Sequence, residues 1–301
     1  MLELRPVPEE ARTHWVPTLA ERLDKLRFRG QYDDPQVSAA KAREFVEGLG
    51  ETTRLFEVVE GDAAVGHLWW GTEGESGSVM DVRLDDPDRM AELVPAMLDL
   101  ARTVGQIRIG AGGVPGDPSR TALVELPGFT PRATNMLLRF DAPIADPGGV
   151  ELREMTGERF DEFYADLVRD YADELHAAGM SREAADEQSR TQSAQLMPDG
   201  VDSVGQEFFS AWVGDDPVGH LWISTEKPMA FVYDVVVRED QRRKGYGEAI
   251  MNAGALWSRE HGHPSLGLNV FAHNPGARAL YDKLGYVVTM DYRTLDVPDA
   301  G

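Results

Sequence analysis

The sequence contains no cysteine and no long apolar run, and each absence excludes a class of protein. Without cysteine there can be no disulfide framework, no thiolate metal site and no cysteine acyl-enzyme. No apolar run reaches the roughly 18 residues that a membrane-spanning helix needs. The first residues show no signal-peptide pattern. We therefore expect a soluble, cytoplasmic protein with no membrane partner.

Basic residues are also scarce, since 30 Lys and Arg stand against 52 Asp and Glu, a formal net charge of -22. Nucleic acid is therefore not an expected partner, because neutralising phosphates requires a basic face. The acidic surface has two interpretations that both stay open. It attracts a cationic amine, or it serves only solubility.

Two stretches of the chain repeat each other. Phe56–Trp70 matches Phe209–Ile223 at an offset of 153 residues, with eight of fifteen positions identical. The same offset relates Asp81 to Asp234, so the intervening strand and turn keep their length. A constant offset over such a distance indicates a tandem duplication.

Each half has the same predicted order of elements. Each half begins with a strand and two helices, which are followed by a hairpin of two strands. After the hairpin come a third strand, a helix, a strand, a helix and closing strands. In the first half the hairpin turns at Gly61 and Asp62. This order predicts an α/β or α+β layered domain in each half. The predicted helices are Glu9–Arg27, Val37–Gly48, Arg89–Val104, Ser119–Leu126, Gly157–Ala178, Arg182–Met197, Gly245–His261 and Asn274–Leu284.

Residues 141–149 contain two prolines and two glycines, which is typical of a linker. We therefore predict domains over residues 1–140 and 150–301.

Positive charge is concentrated in one short loop of the second half. Arg242, Arg243 and Lys244 follow an apolar strand and directly precede Gly245 and Gly247. A helix that begins here offers unpaired N–H groups and the positive end of its dipole, and glycine lets an anion approach the backbone. The loop therefore predicts a phosphate site, with a glycine-rich turn and solvated cations as the alternative.

Other phosphate motifs do not fit this loop. A dinucleotide fingerprint would require Gly or Ala where Ile250 stands, and a nucleotide P-loop would require Gly-Lys-Ser/Thr, which is absent. In the first half the corresponding loop has no glycine, and Asp85, Asp86 and Asp88 would repel a phosphate. We interpret residues 1–140 as a degenerate copy.

A second motif follows the next strand. Asn274 before Pro275 is a good helix start, and Gly285 is a good stop. Tyr281 lies nearly two turns after Asn274 and shares its helix face. Both side chains are therefore expected to face one cleft.

Both motifs resemble those of the GCN5-related N-acetyltransferases. Arg242-x-x-Gly245-x-Gly247 resembles their coenzyme A pyrophosphate loop, and Asn-x-x-Ala-x-x-x-Tyr-x-x-x-Gly-Tyr from Asn274 resembles their second cofactor motif. The likeness runs from about residue 208 to residue 292. It implies two tandem domains, each with a mixed, mostly antiparallel sheet flanked by helices and a splayed parallel strand pair.

The resemblance also implies a cofactor, acetyl-CoA, and a role for each matching residue. Asn274 would hydrogen-bond the cofactor arm, and Tyr281, a phenol that stays protonated at neutral pH, would protonate the departing thiolate. Main-chain groups would bind the pantetheine at Val235, Val236 and Val237, and the pyrophosphate at Arg242, Arg243, Lys244, Gly245, Tyr246 and Gly247.

The general base is less defined. Asp234 lies where family members often carry an acid, but Asp81 holds the equivalent place in the degenerate copy, so a shared structural role is an alternative. Glu207, Glu226 and an ordered water stay open as bases.

The histidines show no pattern of a metal site. His67 and His220 repeat each other, which favours a packing role, and His261 and His263 lack a third ligand. We predict no metal site.

These residues predict an N-acetyltransferase that uses acetyl-CoA and a small, cationic primary amine. Direct transfer is expected, because the chain has no cysteine to carry the acetyl group. The alternative is a non-catalytic acyl-CoA sensor or interaction module. The oligomeric state is not predicted.

Overall fold

The computed structural model describes residues 1–28, 32, 34–48, 53–73, 75–177, 180–227 and 229–298. It contains strands β1 Glu3–Pro6, β2 Thr53–Glu60, β3 Ala63–Glu73, β4 Ser76–Leu84, β5 Arg108–Gly113, β6 Thr130–Arg139, β7 Val150–Glu154, β8 Gln206–Val213, β9 Asp216–Ser224, β10 Ala230–Val237, β11 Ser265–Phe271 and β12 Val287–Asp296. Its α-helices are α1 Glu9–Leu23, α2 Pro35–Gly48, α3 Met90–Thr103, α4 Pro118–Glu125, α5 Gly157–Ala177, α6 Arg182–Leu196, α7 Tyr246–Glu260 and α8 Pro275–Lys283.

All eight predicted helices are present, with ends shifted by a few residues. The largest shift is in the first helix, where α1 ends at Leu23 and a π-helical segment, Asp24–Phe28, continues the chain. The predicted end of the fifth helix, Ala178, lies outside the described residues. No helix in the described part of the chain is long and apolar enough to span a bilayer.

The chain divides into two compact units. Unit 1 contains Met1–Leu138 and Asn269–Gly301, and unit 2 contains Arg139–Leu268. The predicted domains divide the chain once, near the linker, whereas unit 1 also takes in the C-terminal residues. The reason lies in strand pairing, because β12 pairs antiparallel with both β5 and β6.

The sheet of unit 1 has the order β1-β2-β3-β4-β5-β12-β6. All pairs are antiparallel except β4 and β5, which pair in parallel only over Ser76–Val79 and Arg108–Ala111. One part of the core lies under α3, where Leu93, Met97 and Trp70 are almost fully buried.

The strands of unit 2 have the order β7-β8-β9-β10-β11. Here too one pair is parallel, since β10 pairs with β11 over Ala230–Val232 and Leu266–Leu268. The described pairing stops there, although β10 continues to Val237. Each unit therefore has a mixed, mostly antiparallel sheet with a parallel pair that separates, which confirms the predicted fold class.

A β-bulge lies on the strand where each parallel pair separates. In unit 2 the register between β10 and β9 shifts between Val232 and Asp234, so Tyr233 is the extra residue. In unit 1 the shift leaves Met80 as the extra residue of β4. A bulge bends the strand and redirects side chains, so the duplication preserved this bend in both halves.

The close approach of β9 and β10 explains a glycine in the repeated Val-Gly-His-Leu-Trp sequence. A Cβ on Gly219 would lie 2.2 Å from the carbonyl oxygen of Val236 and 2.9 Å from Cδ1 of Ile250. Gly66 of the first half is in the same situation, because a Cβ there would lie 2.1 Å from the carbonyl oxygen of Arg83. Backbone atoms cannot yield as a flexible side chain can.

We expect Gly219→Ala to lower the free energy of unfolding by about 1–3 kcal/mol, because the added methyl group overpacks the strand pair. Urea denaturation would measure the change. Gly157→Ala is the matched control, since a Cβ there meets no atom within 4 Å. Equal unfolding midpoints for the two variants would contradict the steric explanation.

Candidate active site

The basic loop of unit 2 ends in an open helix N-terminus. Gly245 is the N-cap residue of α7 and has a φ of 88°, a left-handed conformation that favours glycine, and no side chain caps the helix. Among the described residues, Arg243 is the non-glycine residue with a positive φ, 64°. Strained backbone of this kind is concentrated at ligand sites, and turns of alternating hand form anion-binding nests. The loop therefore fits a phosphate group.

The basic side chains of this loop lie at the surface, and two of them, Arg242 and Lys244, hydrogen-bond uncharged groups. Arg242 donates from Nε to the carbonyl oxygen of Val237 at 3.4 Å, and Lys244 donates from Nζ to Oε1 of Gln241 at 2.9 Å. In the described part of the chain, no carboxylate pairs with these two side chains. Their charge adds to the positive end of the helix dipole, which favours an anion such as a diphosphate.

The strand before this loop has backbone groups to offer. Val235, Val236 and Val237 pair with β9 on one side, but the described pairing with β11 ends at Val232 on the other side. Backbone donors and acceptors on that edge need partners. A role for residues 235–237 in binding the pantetheine stays a prediction that this open edge supports.

Asn274 and Tyr281 both lie in unit 1. Oδ1 of Asn274 accepts a hydrogen bond from the backbone N–H of Ala277 at 3.0 Å, so this residue caps α8 as expected, and a cofactor contact would have to come from Nδ2. Tyr281 is only 6% exposed, with its ring centroid 5.7 Å from that of Tyr286. Since the basic loop belongs to unit 2, a joint role for these residues stays a prediction.

Asp234 is engaged by a histidine. Its Oδ2 lies 2.8 Å from Nε2 of His220, and the two side chains are 27% and 25% exposed. The His220 ring packs in a T-shaped arrangement with Phe163 of α5, with centroids 5.1 Å apart. His220 thus has the predicted packing contact and also a carboxylate partner that the sequence analysis missed. The 14-residue spacing that both halves share between this histidine and aspartate was the available signal.

The other candidate bases lie elsewhere in unit 2. Burial raises the pKa of Glu207 on β8, and the neighbouring charge of Glu154 raises it further. Glu226 follows β9. Burial of the Tyr233 hydroxyl raises the pKa of that residue, and the nearby charge of Glu226 raises it further. Neither glutamate has a described hydrogen bond to a histidine. The described residues contain no group of three or more His, Asp or Glu side chains that could hold a metal ion.

The corresponding carboxylate of unit 1 is closed off from solvent. Asp81 is fully buried and lies 2.7 Å from His67 and 2.7 Å from Arg22. Arg22 also bonds Asp117, the N-cap residue of α4, at 2.7 Å. Burial alone would raise the pKa of Asp81, but the hydrogen bonds from His67 and Arg22 outweigh it and lower the pKa to about 2. This half keeps a charged, fully paired cluster where unit 2 has an open pair.

Arg120 fills the gap between the separating strands of unit 1. Its Nε donates to the carbonyl oxygen of Gly112 on β5 at 2.8 Å, and Nη1 donates to that of Met80 on β4 at 3.2 Å. Counted from the helix cap, Arg120 stands where the second half has Ala277. In unit 1 an arginine side chain therefore bridges the two separating strands, at a helix position that alanine holds in the second half.

Comparisons with known proteins agree on the kind of protein that the chain resembles. Residues 161–286 match the model of the acetyltransferase (GNAT) family. The chain is 33% identical over 146 residues to the uncharacterized N-acetyltransferase YycN of Bacillus subtilis (strain 168). The aligned region covers 46% of this chain and 94% of YycN. It is 27% identical over 256 residues to the mycothiol acetyltransferase of Clavibacter sepedonicus, with coverages of 77% and 76%.

A solved structure extends the likeness in fold to both halves. The tandem GNAT protein from the clavulanic acid biosynthesis pathway covers 100% of this chain and is itself covered to 100%, with 19% identity and a TM-score of 0.51. At this identity the likeness concerns the fold alone.

The cluster around Asp81 predicts a pH dependence of stability. Its pKa is about 2 in the folded chain and about 3.9 when unfolded. Because the folded value is the lower one, the stabilisation of about 2–3 kcal/mol is complete above about pH 4 and is lost as the pH falls toward 2. The difference in free energy of unfolding between the unaltered chain and Asp81→Asn should be constant above pH 4 and shrink below it.

Urea titrations at a series of pH values would measure this difference. Asp85→Asn is the control, because Asp85 forms an exposed ion pair with Arg83, and such pairs contribute little. An Asp81→Asn curve parallel to that of the unaltered chain down to pH 2 would show that Asp81 is not a paired carboxylate.

Proposed function

The chain belongs to the acetyltransferase (GNAT) family as a tandem member, and from this premise we propose that it transfers the acetyl group of acetyl-CoA directly to the primary amine of a small, cationic acceptor. The family uses acetyl-CoA, and the relatives compared are named for acetyl transfer. The acceptor, the direct route and the role of each residue are the proposed parts.

The observation that carries the proposal is the open N-terminus of α7. Gly245 presents the first N–H groups of the helix without a side-chain cap, directly after the exposed Arg242, Arg243 and Lys244. A diphosphate satisfies those N–H groups and compensates the local positive charge. In a chain with a net charge of -22, this concentration of cations at a helix N-terminus points to an anionic ligand.

The remaining proposed roles belong to two side chains, Asn274 and Tyr281, and to the backbone N–H groups of residues 235–237. When bound, acetyl-CoA supplies its acetyl group as a thioester, whose carbon–sulfur bond breaks as the nitrogen–carbon bond forms. Asn274 holds the cofactor arm through Nδ2, and Tyr281 holds a proton at its hydroxyl for the departing sulfur. The backbone N–H groups of residues 235–237 are donors for the pantetheine and for negative charge that develops on the carbonyl oxygen.

Two features support a small, cationic acceptor. The acidic excess of the chain raises the local concentration of cations. A relative that is 27% identical over 256 residues is named mycothiol acetyltransferase, after a small molecule. Direct transfer is supported by the absence of cysteine, the usual covalent carrier.

We expect Gly247→Asp to weaken binding of acetyl-CoA more than 100-fold (about 3 kcal/mol), because a carboxylate in the first turn of α7 would repel the diphosphate. An acidic residue there suits the helix dipole, so the variant should still fold. Isothermal titration calorimetry would measure the affinity. Asp86→Asn, in the corresponding loop of the first half, should leave the affinity unchanged. A loss of affinity in that variant instead would show that the cofactor binds to the first half.

Turnover is tested by the thiol that acetyl-CoA releases in the presence of a panel of primary amines. Tyr281→Phe should lower kcat by about 10²–10⁴-fold, since the departing sulfur loses its proton donor, while KM for acetyl-CoA stays the same. Tight binding of acetyl-CoA without amine-dependent thiol release would instead favour a sensor or interaction module.

Tyr286→Phe is the matched control for Tyr281→Phe. The Tyr286 hydroxyl is buried and has no described hydrogen-bond partner, and burial, followed by the proximity of Tyr281, raises its pKa. Its removal should therefore leave kcat unchanged and raise the free energy of unfolding by about 1 kcal/mol. Equal loss of kcat in both variants would contradict a specific role for Tyr281.

A further inference from the structure

The bulge in β10 brings four functional side chains to one face of unit 2. His220 and Trp222 are two residues apart on β9 and therefore share a face. Tyr233 stacks on Trp222 with ring centroids 4.6 Å apart, and Asp234 bonds His220. Consecutive residues of a regular strand point to opposite faces, so the bulge is what allows Tyr233 and Asp234 to reach the same one.

This face lies opposite the helix that carries the basic loop. Leu221, between His220 and Trp222, packs toward α7, because a Cβ on Gly254 of that helix would lie 2.6 Å from the Leu221 side chain. His220 and Trp222 instead contact Phe163 of α5. The face with His220 is therefore the one turned away from α7, and α5 packs on part of it.

The His220 and Asp234 pair has the form of a base and its orienting partner. Nε2 of His220 is engaged by Asp234 at 2.8 Å, which leaves Nδ1 as the ring nitrogen that can accept a proton. Each side chain is about a quarter exposed, so a substrate can reach the pair. An imidazole changes its charge near neutral pH and is a better general base there than a carboxylate.

Comparison with the first half separates a packing role from a chemical one. His67 and Asp81 form the same pair at 2.7 Å, and Trp15 contacts His67 as Phe163 contacts His220. The side chains of that pair, however, are only 3% and 0% exposed. The packing contact and the hydrogen bond are common to both halves, whereas access to solvent differs.

The residues that close the first pair are missing from the second half. Arg22 binds Asp81 in unit 1. The offset of 148 residues that relates Glu3 to Glu151 places Asp170 at the position of Arg22. Asp170 is exposed and pairs with its neighbour Arg169. Among the described residues of unit 2, no guanidinium bonds Asp234 as Arg22 bonds Asp81.

We propose that His220 is the catalytic base that activates the acceptor amine, and that Asp234 is its positioning residue. The inference rests on the proposed function and revises the predicted base, because Asp234 acts through His220. A primary amine is an ammonium ion at neutral pH and must lose two protons to become an amide. Nδ1 of His220 takes the first proton and passes it to solvent. Tyr281 gives its hydroxyl proton to the departing thiol sulfur, and the second proton lost by the nitrogen restores that hydroxyl.

The first experiment measures amine-dependent thiol release by full-length variants. His220→Gln should lower kcat by about 10²–10⁴-fold and leave KM for acetyl-CoA unchanged. Asp234→Asn should cause a smaller loss of kcat, and Asp234→Glu should recover part of it. His67→Gln is the matched control, since it removes the same contact from the closed pair and should retain turnover at temperatures where the variant is folded.

A second experiment uses the unaltered chain, so it does not depend on the folding of a variant. Diethyl pyrocarbonate should modify His220 but not the buried His67, as located by peptide mapping. Activity should fall in proportion to the label on His220 and should return when hydroxylamine removes it.

The outcomes distinguish this inference from the proposed function. Turnover by His220→Gln within threefold of the unaltered chain, or full activity with His220 labelled, would overturn the base and leave the acetyltransferase intact. If the unaltered chain released no thiol with any amine, the proposed function would fail and the inference with it.

Discussion

The parallel strand pair that separates is the constraint on which both halves depend. Where two strands diverge, backbone N–H and C=O groups lose their partners, and such groups must be satisfied by something else. In unit 1 the guanidinium of Arg120 donates to the carbonyl oxygens of Met80 and Gly112 and so connects the two strands. In unit 2 the edge of β10 beyond Val232 has no described strand partner. The gap between the separating strands is therefore bridged by an arginine side chain in unit 1. In unit 2 no described strand pairs with this edge of β10, and the proposed cofactor would bind there.

The second consequence of duplication is electrostatic. Asp81 keeps its charge in the interior only because His67 and Arg22 donate hydrogen bonds to it, since an unpaired buried carboxylate would be strongly destabilising. Asp234 has the histidine but not the arginine. A partly exposed carboxylate can be solvated by water, so it tolerates the loss of the second partner. Burial goes with two partners for the carboxylate in unit 1, and partial exposure goes with one described partner in unit 2.

Sequence patterns predicted the local features and missed the distant ones. The cap at Asn274, the basic loop before Gly245 and all eight helices depend on residues close in the chain, and these appear where the patterns placed them. Three features depend on residues far apart: the joining of β12 to unit 1, the contact of Arg22 with Asp81, and the bridge made by Arg120. Spacing and periodicity carry no information on such contacts. The 14-residue interval between histidine and aspartate that both halves share is present in the sequence, but the contact was not predicted from it.

The two halves also differ in the charged hydrogen bonds that hold their elements together. The hydrogen bonds that Arg22 and Arg120 make in unit 1 hold α1, α4, β4 and β5 together, and each charge-assisted bond of this kind adds stability. If unit 2 binds substrates as proposed, it cannot keep such bonds, because the arginine side chains would occupy the space and the hydrogen-bonding groups that substrates need. In unit 2 the rings of Phe160, Phe163, Phe208 and Trp222 form a hydrophobic cluster that contacts His220 through Phe163. Aromatic packing by Phe163 therefore holds the His220 ring in place, while about a quarter of the His220 and Asp234 side chains stays exposed.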